Sequence, residues 1–345
     1  MRFPEFSGEW DEYAIGEILS IGNGRDYKHL HNGDIPVFGT GGYMTSVDDF
    51  LYDGESVFVG RKGTINKPLY YNGKFWTVDT LFYTYNFTDV LPKFVYCLFQ
   101  TINWLKYNEA SGVPSLSKAT IEKIKVRIPS MDEQDKLSNL LFLLDKRIEV
   151  QNKIIEKLET LIKGIRHKVF KQLRKDFGFN STIGDILSFE QPQRYIVSSA
   201  EYSNDDTFIP VLTANKAFIL GYTTETDGIY DKGDCIIIDD FTLDCKYVSF
   251  PFKVKSSAIK ILTANNKFIL RYTYEYLKSL ELSTEEHKRH YITEIQPYSC
   301  VLPDENTLKT IALVFENLAY KLSNEQSLAL ILNKQRQYLL SKMFI

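Results

Sequence analysis

Two segments of this 345-residue chain carry the same apolar pattern, and a constant shift of 174 residues brings one onto the other. The shift aligns Pro129 with Pro303 and Phe170 with Phe344. Between these limits it also aligns Leu137 with Ile311, Leu144 with Leu318, Ile148 with Leu322, Leu158 with Leu332 and Ile165 with Leu339. A repeat of this kind predicts two copies of one structural unit.

In both segments the apolar residues recur at alternating steps of four and three, which keeps one narrow seam on one side of a helix. Each proline precedes its helix, where a missing N–H costs little. We therefore predict two long helices that pair with each other, and an ordinary helix-bundle core is the alternative. Polar residues at matching seam positions, Gln151 and Glu325, are expected to fix the register. The first seam is Leu137, Leu141, Leu144, Ile148, Gln151, Ile155, Leu158, Ile162, Ile165 and Val169, and the second is Ile311, Phe315, Leu318, Leu322, Glu325, Ala329, Leu332, Arg336, Leu339 and Met343.

The repeat continues more loosely upstream of the helices. Ile15-Gly-Glu-Ile-Leu-Ser is similar to Ile183-Gly-Asp-Ile-Leu-Ser, and Ile35-Pro-Val-Phe is similar to Ile209-Pro-Val-Leu. We predict an α+β protein with two similar mixed α/β domains, separated by two long antiparallel coiled-coil helices with pseudo-two-fold symmetry. A rod of roughly 50–60 Å would then carry a head at each end. The expected boundaries are 1–128 and 176–302 for the domains and 129–175 and 303–345 for the helices.

The first domain is expected to contain short strands and one helix. The strands are predicted at Ile35–Phe38, Ser56–Gly60, Phe75–Tyr85 and Ile124–Ile128, and the helix is predicted at Pro92–Tyr107.

Composition excludes several classes of protein. Hydrophobic residues at 44% and charged residues at 25% are typical of globular chains. The N-terminus MRFPEFSGEWDEY lacks the apolar core of a signal peptide, no stretch approaches the roughly 20 apolar residues of a membrane span, and the four cysteines are scattered. A reducing cytoplasm is the expected compartment. The net charge of −3 does not favour nucleic acid, so a DNA-binding role must rest on local features.

Local features of that kind occur in three segments of the first domain, Gly39–Tyr43, Val59–Lys67 and the Gly/Ser-rich Ala110–Lys118. Gly60 and Gly63 let the backbone approach a partner closely, while Arg61 and Lys62 offer phosphate or guanine contacts. A basic surface hairpin is the alternative interpretation. The candidate DNA-binding residues here are Thr40, Tyr43, Arg61, Lys62, Thr64, Asn66, Lys67, Ser111, Ser115 and Lys118.

The words GRKGTIN at Gly60–Asn66, SGVPSLSK running into IEKIKVRIP, and EQDKLSNLLFLLDKRIE resemble the specificity subunit of type I restriction-modification systems. The order of domain and helix, repeated twice, is similar across essentially the full length. The resemblance implies a non-catalytic subunit that reads a bipartite, asymmetric DNA target, with one half-site for each target-recognition domain. It also implies two adenine-methylating subunits docked on the helices and motor-nuclease subunits that join for restriction. Outward apolar residues expected to bind such partners are Leu140, Ile154, Leu161, Leu313, Leu328 and Leu340.

The second domain departs from this pattern. Where the first has Gly60-Arg-Lys-Gly, the second has Asp239-Asp-Phe-Thr-Leu-Asp-Cys-Lys246, and these acids replace the bases. A basic loop, His287-Lys-Arg-His-Tyr291, occupies the place of SGVPSLSK. A capped surface loop is the alternative for this segment. The candidates in this domain are Thr213, Asn215, Lys216, Lys246, Tyr247, Lys288, Arg289 and His290.

Two other functions stay open at this point. Asp239, Asp244 and Lys246 have the residue types of a nuclease that holds Mg²⁺ with carboxylates. A coiled-coil scaffold without DNA binding is the other. No Walker A loop, G-x-G-x-x-G or HExxH word occurs, and the histidines lack ligand spacing. We therefore expect no metal, no cofactor and no catalysis by this chain itself.

Overall fold

The computed structural model describes residues 2–214, 217–284 and 288–344. Within them the chain divides into two compact units. Unit 1 comprises Met1–Asn152 with Ser327–Ile345, and unit 2 comprises Lys153–Gln326. Each unit therefore combines a globular part with one segment of each long helix.

Unit 1 is a mixed sheet covered by helices. Its strands follow the order β2-β7-β5-β6-β3-β4, in which neighbours are antiparallel except β3 and β6. A separate antiparallel pair joins β1 to β8. The elements are β1 (Asp11–Ala14), α1 (Ile15–Ile18), β2 (Ser20–Asn23), β3 (Asn32–Gly39), β4 (Gly42–Val47), β5 (Tyr52–Gly60), β6 (Leu69–Thr77), β7 (Leu81–Tyr85), α2 (Pro92–Thr101), a 3-10 turn (Trp104–Tyr107), α3 (Lys118–Glu122), β8 (Lys125–Ile128) and the start of α4 (Met131–Phe177).

Unit 2 repeats this topology with shorter strands. Unit 2 has two sheets, with the orders β10-β16-β13-β14 and β12-β11-β15. The first corresponds to β2-β7-β5-β6 of unit 1, and the second contains the counterpart of its β3-β4 hairpin. The parallel contact also recurs, because β11 and β15 pair in parallel as β3 and β6 do. The elements are β9 (Ser181–Thr182), α5 (Ile183–Ile186), β10 (Ser188–Glu190), a 3-10 turn (Pro192–Tyr195), β11 (Ile209–Leu212), β12 (Ile219–Thr223), β13 (Cys235–Asp239), β14 (Cys245–Val248), β15 (Lys253–Val254), β16 (Ile259–Thr263), α6 (Lys267–Ser279), a π-helical turn (Tyr291–Ile295), β17 (Ser299–Cys300) and α7 (Glu305–Met343).

The short helices α1 and α5 confirm that the loose upstream repeat is structural. The main-chain N–H of Ile15 donates to the Ile124 carbonyl at 3.0 Å, and that of Ile183 donates to the Tyr298 carbonyl at 3.0 Å. Ile124 and Tyr298 are separated by the same 174 residues that relate the long helices. The predicted class of two similar mixed α/β domains is therefore confirmed.

The two long helices run antiparallel within each unit. In unit 1, Arg336 of α7 forms an ion pair with Asp145 of α4. In unit 2 the Phe170 and Phe315 rings stack with centroids 6.3 Å apart. The seam residues are buried or half-buried, as the four-three spacing predicts. Those buried within the two cores are Leu137, Leu158, Ile162, Phe315 and Met343. None of the helices in the described ranges is long and apolar enough to cross a membrane.

Two element boundaries in unit 1 correct the sequence prediction. The stretch predicted as one strand, Phe75–Tyr85, is two strands that lie on opposite sides of β5, and β6 ends at Thr77 while β7 begins at Leu81. The predicted helix Pro92–Tyr107 ends at Thr101 and is followed by the 3-10 turn. Apolar residues continue on both sides of each break, so the apolar pattern alone does not show where the first element ends.

Buried charges fix each globular part to the helices of its own unit. In unit 2, the Glu275 carboxylate of α6 is 1% exposed and accepts hydrogen bonds at 2.7 Å from Arg166 of α4 and from Arg271. In unit 1, Arg336 bonds both Asp145 and the Gln100 side chain of α2. A buried carboxylate left without its cations is costly, so the Glu275 contacts restrict how the globular part of unit 2 packs on α4. The Asp145 side chain is 29% exposed, so its pair with Arg336 is a weaker restriction in unit 1.

We expect Leu141→Ala to lower the free energy of unfolding by about 2–5 kcal/mol, because its side chain is fully buried in the α4 seam. Leu143→Ala, two residues along the same helix and 68% exposed, should change it by less than about 0.5 kcal/mol. Denaturant titration of both variants measures this. Equal effects would contradict the assigned seam.

Candidate nucleic-acid interface

The turn after β5 and the loop before α3 form one surface in unit 1. Lys62 and Ser115 pair as an antiparallel β-bridge. Beside the bridge, the main-chain N–H of Leu116 donates to the Arg61 carbonyl at 2.8 Å. The two segments that the sequence singled out separately are therefore joined by the backbone. We call residues 60–66 and 110–118 the unit 1 loop pair.

Two glycines determine the path of the turn. A β-carbon on Gly60 would lie 2.2 Å from the Thr64 carbonyl oxygen, so a larger residue cannot occupy this position without a shift of the backbone. Gly63 has a φ of +95°, in the region that favours glycine. A β-carbon at Gly63 would lie 3.7 Å from the Thr40 hydroxyl, which places the β3–β4 hairpin next to the loop pair.

Most of the unit 1 candidates are accessible in this arrangement. Tyr43 is 65% exposed, and its hydroxyl lies 3.1 Å from that of Ser46. The Arg61 guanidinium donates to the Asp79 carbonyl at 3.3 Å and lies 6.0 Å from the centre of the Phe82 ring. The exposed candidates are Tyr43, Arg61, Lys62, Thr64, Asn66, Lys67 and Ser111, and the half-buried ones are Thr40, Ser115 and Lys118.

Two residues that the sequence analysis missed hold the loop 110–118 in place. The Asn108 side-chain oxygen accepts the Ser115 main-chain N–H at 2.9 Å. The Glu109 carboxylate accepts hydrogen bonds from the hydroxyls of Thr120 and Ser117, and these bonds hold its pKa below the ordinary value. The only signal in the sequence is that both residues directly precede a Gly/Ser-rich loop, where local side-chain caps are common.

Unit 2 has the same main-chain frame. The Asp240 N–H donates to the Ala258 carbonyl at 2.7 Å, as the Arg61 N–H donates to the Thr80 carbonyl at 2.8 Å in unit 1. The His290 N–H donates to the Asp240 carbonyl at 2.9 Å, which matches the loop-pair bond to the Arg61 carbonyl. Position 240 is thus the counterpart of position 61. We call residues 239–244 and 288–291 the unit 2 loop pair.

His290 and Thr213 correct the prediction of DNA contacts in unit 2. The His290 ring is 1% exposed, with Nε2 at 3.2 Å from the Thr284 hydroxyl and Nδ1 at 3.0 Å from Glu294. Thr213 is 7% exposed at the end of β11. Neither side chain is available to a duplex in this conformation, so both have structural roles. The candidates Asn215 and Lys216 lie outside the described residues.

Lys246 and Tyr247 lie on β14 and are half-buried. The Tyr247 hydroxyl donates to Asp234 at 2.7 Å, and its ring lies 5.0 Å from the Arg271 guanidinium. Burial and the bond to Asp234 raise the pKa of Tyr247. Its polar and aromatic groups are thus both engaged within unit 2.

The exposed candidates of unit 2 are Lys288 and Arg289. Lys288 forms an ion pair with Glu294 at 3.1 Å. The Arg289 guanidinium, half-exposed, lies 3.6 Å from the Asp240 carboxylate and 5.7 Å from the Phe241 ring. The exposed cations of the unit 2 loop pair therefore lie on residues 288–291.

Of the two acids considered for a nuclease, Asp244 is exposed and Asp239 shapes the turn. The Asp239 carboxylate accepts the main-chain N–H groups of Phe241 and Thr242, both at 2.9 Å. The Asp240 carboxylate is buried against Lys260 at 3.2 Å. In the described ranges no cluster of three or more His, Cys, Asp or Glu side chains could hold a metal.

The fold and these loops define a class of protein in which two related α/β units each present a main-chain-joined loop pair. Residues 7–160, a little under half of the chain, match the family model of the type I restriction modification DNA specificity domain, which confirms the resemblance to type I specificity subunits. It is 44% identical over 141 residues to the specificity subunit of the type I restriction enzyme EcoR124I/EcoR124II of Escherichia coli, a stretch that covers 39% of this chain and 35% of that protein. It is 27% identical over 126 residues to the MjaVIII specificity subunit of Methanocaldococcus jannaschii, covering 35% of this chain and 27% of the relative. The matches thus span about a third of these relatives or less.

Solved structures share the fold over the whole chain. The S subunit of a type I restriction-modification system from M. genitalium superposes with a TM-score of 0.76 at 17% identity, covering 100% of this chain and 99% of that one. A chain from a structure on the assembly and conformational transition of the type I R-M system gives a TM-score of 0.53 at 12% identity, covering 98% of both.

We expect Gly60→Ala to destabilise unit 1 and distort the loop pair, because the added carbon meets the Thr64 carbonyl. Gly112→Ala, in the partner segment, has nothing within 4 Å of the added carbon and should be tolerated. Thermal unfolding and limited proteolysis of the two variants test this expectation. A stable, protease-resistant Gly60→Ala protein would contradict the assigned constraint.

Proposed function

We propose that this chain is the DNA-reading specificity subunit of a type I restriction-modification complex, in which each unit reads one half of a bipartite target. The observation that carries the proposal is the recurrence of one loop-pair frame in both units, with exposed cations on each. The match of residues 7–160 to the specificity-domain family model and the full-length likeness in fold support it.

The side chains around the loop pairs suit a division between positioning and reading. Arginine and lysine at Arg61, Lys62, Lys67, Lys288 and Arg289 can neutralise phosphates, which fixes a protein on DNA without reading sequence. Short polar side chains can reach base edges in a groove. In unit 1 these are Thr40, Tyr43, Thr64, Asn66, Ser111 and Ser115.

Partners are proposed to dock on the long helices. Large apolar side chains stay exposed there, which is unusual for a surface in contact with water alone. Of the outward residues named from the sequence, Ile154, Leu161 and Leu313 are 40–54% exposed, while Leu140 packs against the unit 1 core. We infer that methyltransferase subunits cover this surface and that restriction subunits join them. Further exposed apolar residues on the helices are Leu143, Val150, Val314, Tyr320, Leu330, Ile331 and Tyr338.

A non-catalytic role fits the chemistry of the loop pairs better than a nuclease does. A metal-dependent nuclease needs carboxylates directed at the ion, whereas Asp239 is occupied by two main-chain N–H groups. A pure scaffold accounts for the exposed helices but gives no reason for the joined cationic loops. Both remain outcomes of the test below.

We expect Lys62→Glu to weaken binding to DNA that carries the target, because it places a negative charge on the unit 1 loop pair. Lys106→Glu, an exposed lysine of the same unit on the 3-10 turn, serves as the charge-matched control. Electrophoretic mobility shift with and without type I methyltransferase subunits is the measurement.

Each outcome of that experiment is decisive. Sequence-selective binding that falls in Lys62→Glu but not in the control supports the proposal. Metal-dependent cutting that is lost in Asp239→Ala would assign a nuclease instead. No DNA binding under either condition would leave the scaffold.

A further inference from the structure

Both units hold one arginine guanidinium at the same point of their frame, although the two arginines come from different segments. In unit 1 Arg61 follows β5 and donates to the Asp79 carbonyl at 3.3 Å. In unit 2 Arg289 precedes the π-helical turn and donates to the Ser257 carbonyl at 3.4 Å. Arg61 and Arg289 therefore do not occupy equivalent positions of the repeated sequence.

The two acceptor carbonyls are counterparts in the repeated frame. Asp79 directly precedes Thr80, which accepts the N–H of Arg61, and Ser257 directly precedes Ala258, which accepts the N–H of Asp240. The strands that follow also correspond, since β7 begins at Leu81 and β16 at Ile259. The guanidinium therefore binds an equivalent carbonyl in each unit.

The charges at the two corresponding positions of the loop pairs differ between the units. At the counterpart of Arg61, unit 2 has Asp240, which is buried between Lys260 at 3.2 Å and Arg289 at 3.6 Å. The 174-residue shift places Arg289 opposite Ser115 of the unit 1 loop pair. The arginine thus lies on the first segment of the loop pair in unit 1 and on the second segment in unit 2, on opposite sides of the same main-chain bond.

The surroundings in unit 2 hold the Arg289 side chain in a defined direction. Its second terminal nitrogen donates to the Ser257 hydroxyl at 3.4 Å, and the guanidinium lies 5.7 Å from the Phe241 ring. Lys260 neutralises Asp240, so the side chain of Arg289, 50% exposed, remains the cation that faces solvent in this group.

We propose that Arg61 and Arg289 contact the same kind of DNA phosphate, one in each half-site, at equivalent places of the two loop pairs. The inference rests on the proposed function. The loop pairs differ in almost every other side chain, and the part of a duplex that stays the same between two different half-sites is its sugar-phosphate backbone. A guanidinium that lies at the same place in both units, although it comes from different segments, suits a contact with a phosphate. The side chains that differ between the loop pairs would then read the bases.

The test is DNA binding as a function of salt, with the full chain in complex with its methyltransferase subunits and with target and unrelated duplexes. Each phosphate that the protein neutralises makes the slope of log affinity against log salt steeper by about 0.9, because counterions are released from the DNA. Arg61→Ala and Arg289→Ala should each lower the slope by about 1 and weaken binding about tenfold near 0.1 M salt, on both duplexes. The double variant should lose about twice that slope.

Two further variants sharpen the result. Arg289→Lys should keep most of the slope, because an ammonium can replace a guanidinium at a phosphate but not at a bidentate guanine contact. Lys232→Ala removes a unit 2 cation of similar exposure, 54%, that is paired with Glu190 outside the loop pair, and should leave the slope unchanged. Asp240 keeps Lys260 in Arg289→Ala, so this variant should fold, which its thermal unfolding checks.

The possible failures are distinct. If the unaltered complex binds no DNA, the proposed function itself fails. If it binds selectively but the slope is unchanged in either arginine variant, the shared phosphate contact is wrong and the proposed function stands. A loss confined to the target duplex, with the slope intact, would assign the arginine to a base.

Discussion

The burial of an apolar seam between two antiparallel helix segments is the interaction on which both units depend. The core of unit 1 contains sheet residues, α2, Leu137 from α4 and Met343 from α7. The core of unit 2 likewise combines its sheet and α6 with Leu158 and Phe315 from the same two helices. Each globular part alone would leave this apolar surface open to water, at a cost of about 25 cal/mol per Å². The segments that complete a core are far apart in sequence, so unit 1 consists of two separate stretches of chain, whereas unit 2 is one continuous stretch.

The sequence predicted the parts of the fold that depend on periodicity and repetition. The four-three seam specified the long helices and their pairing, because a pattern sustained over many turns has few alternative structures. The repeat also predicted two related α/β domains, and the main-chain bonds of Ile15 and Ile183 confirm that relation. The break between β6 and β7 was missed because the turn at residues 78–80 interrupts an otherwise continuous aromatic and apolar run.

The candidate site was less predictable, because it depends on contacts between residues distant in the chain. The glycines and bases at 60–63 could be recognised locally, and they do lie on an exposed surface. That His290 is buried could not, because folding brings it against Asp240, fifty residues earlier, which accepts its main-chain N–H. The role of Asp240 was hidden for a similar reason: a lone acid in a sequence does not reveal that a buried lysine requires it.

The two segments of each loop pair are joined in a way that allows their side chains to differ. The bonds that connect them in both units run from main-chain N–H to main-chain carbonyl, so they are largely independent of which side chains decorate the surface. The contrast between Arg61 and Asp240 illustrates this freedom, since opposite charges occupy one position of an unchanged frame. The path of the backbone and the side-chain chemistry of a loop pair can therefore vary separately.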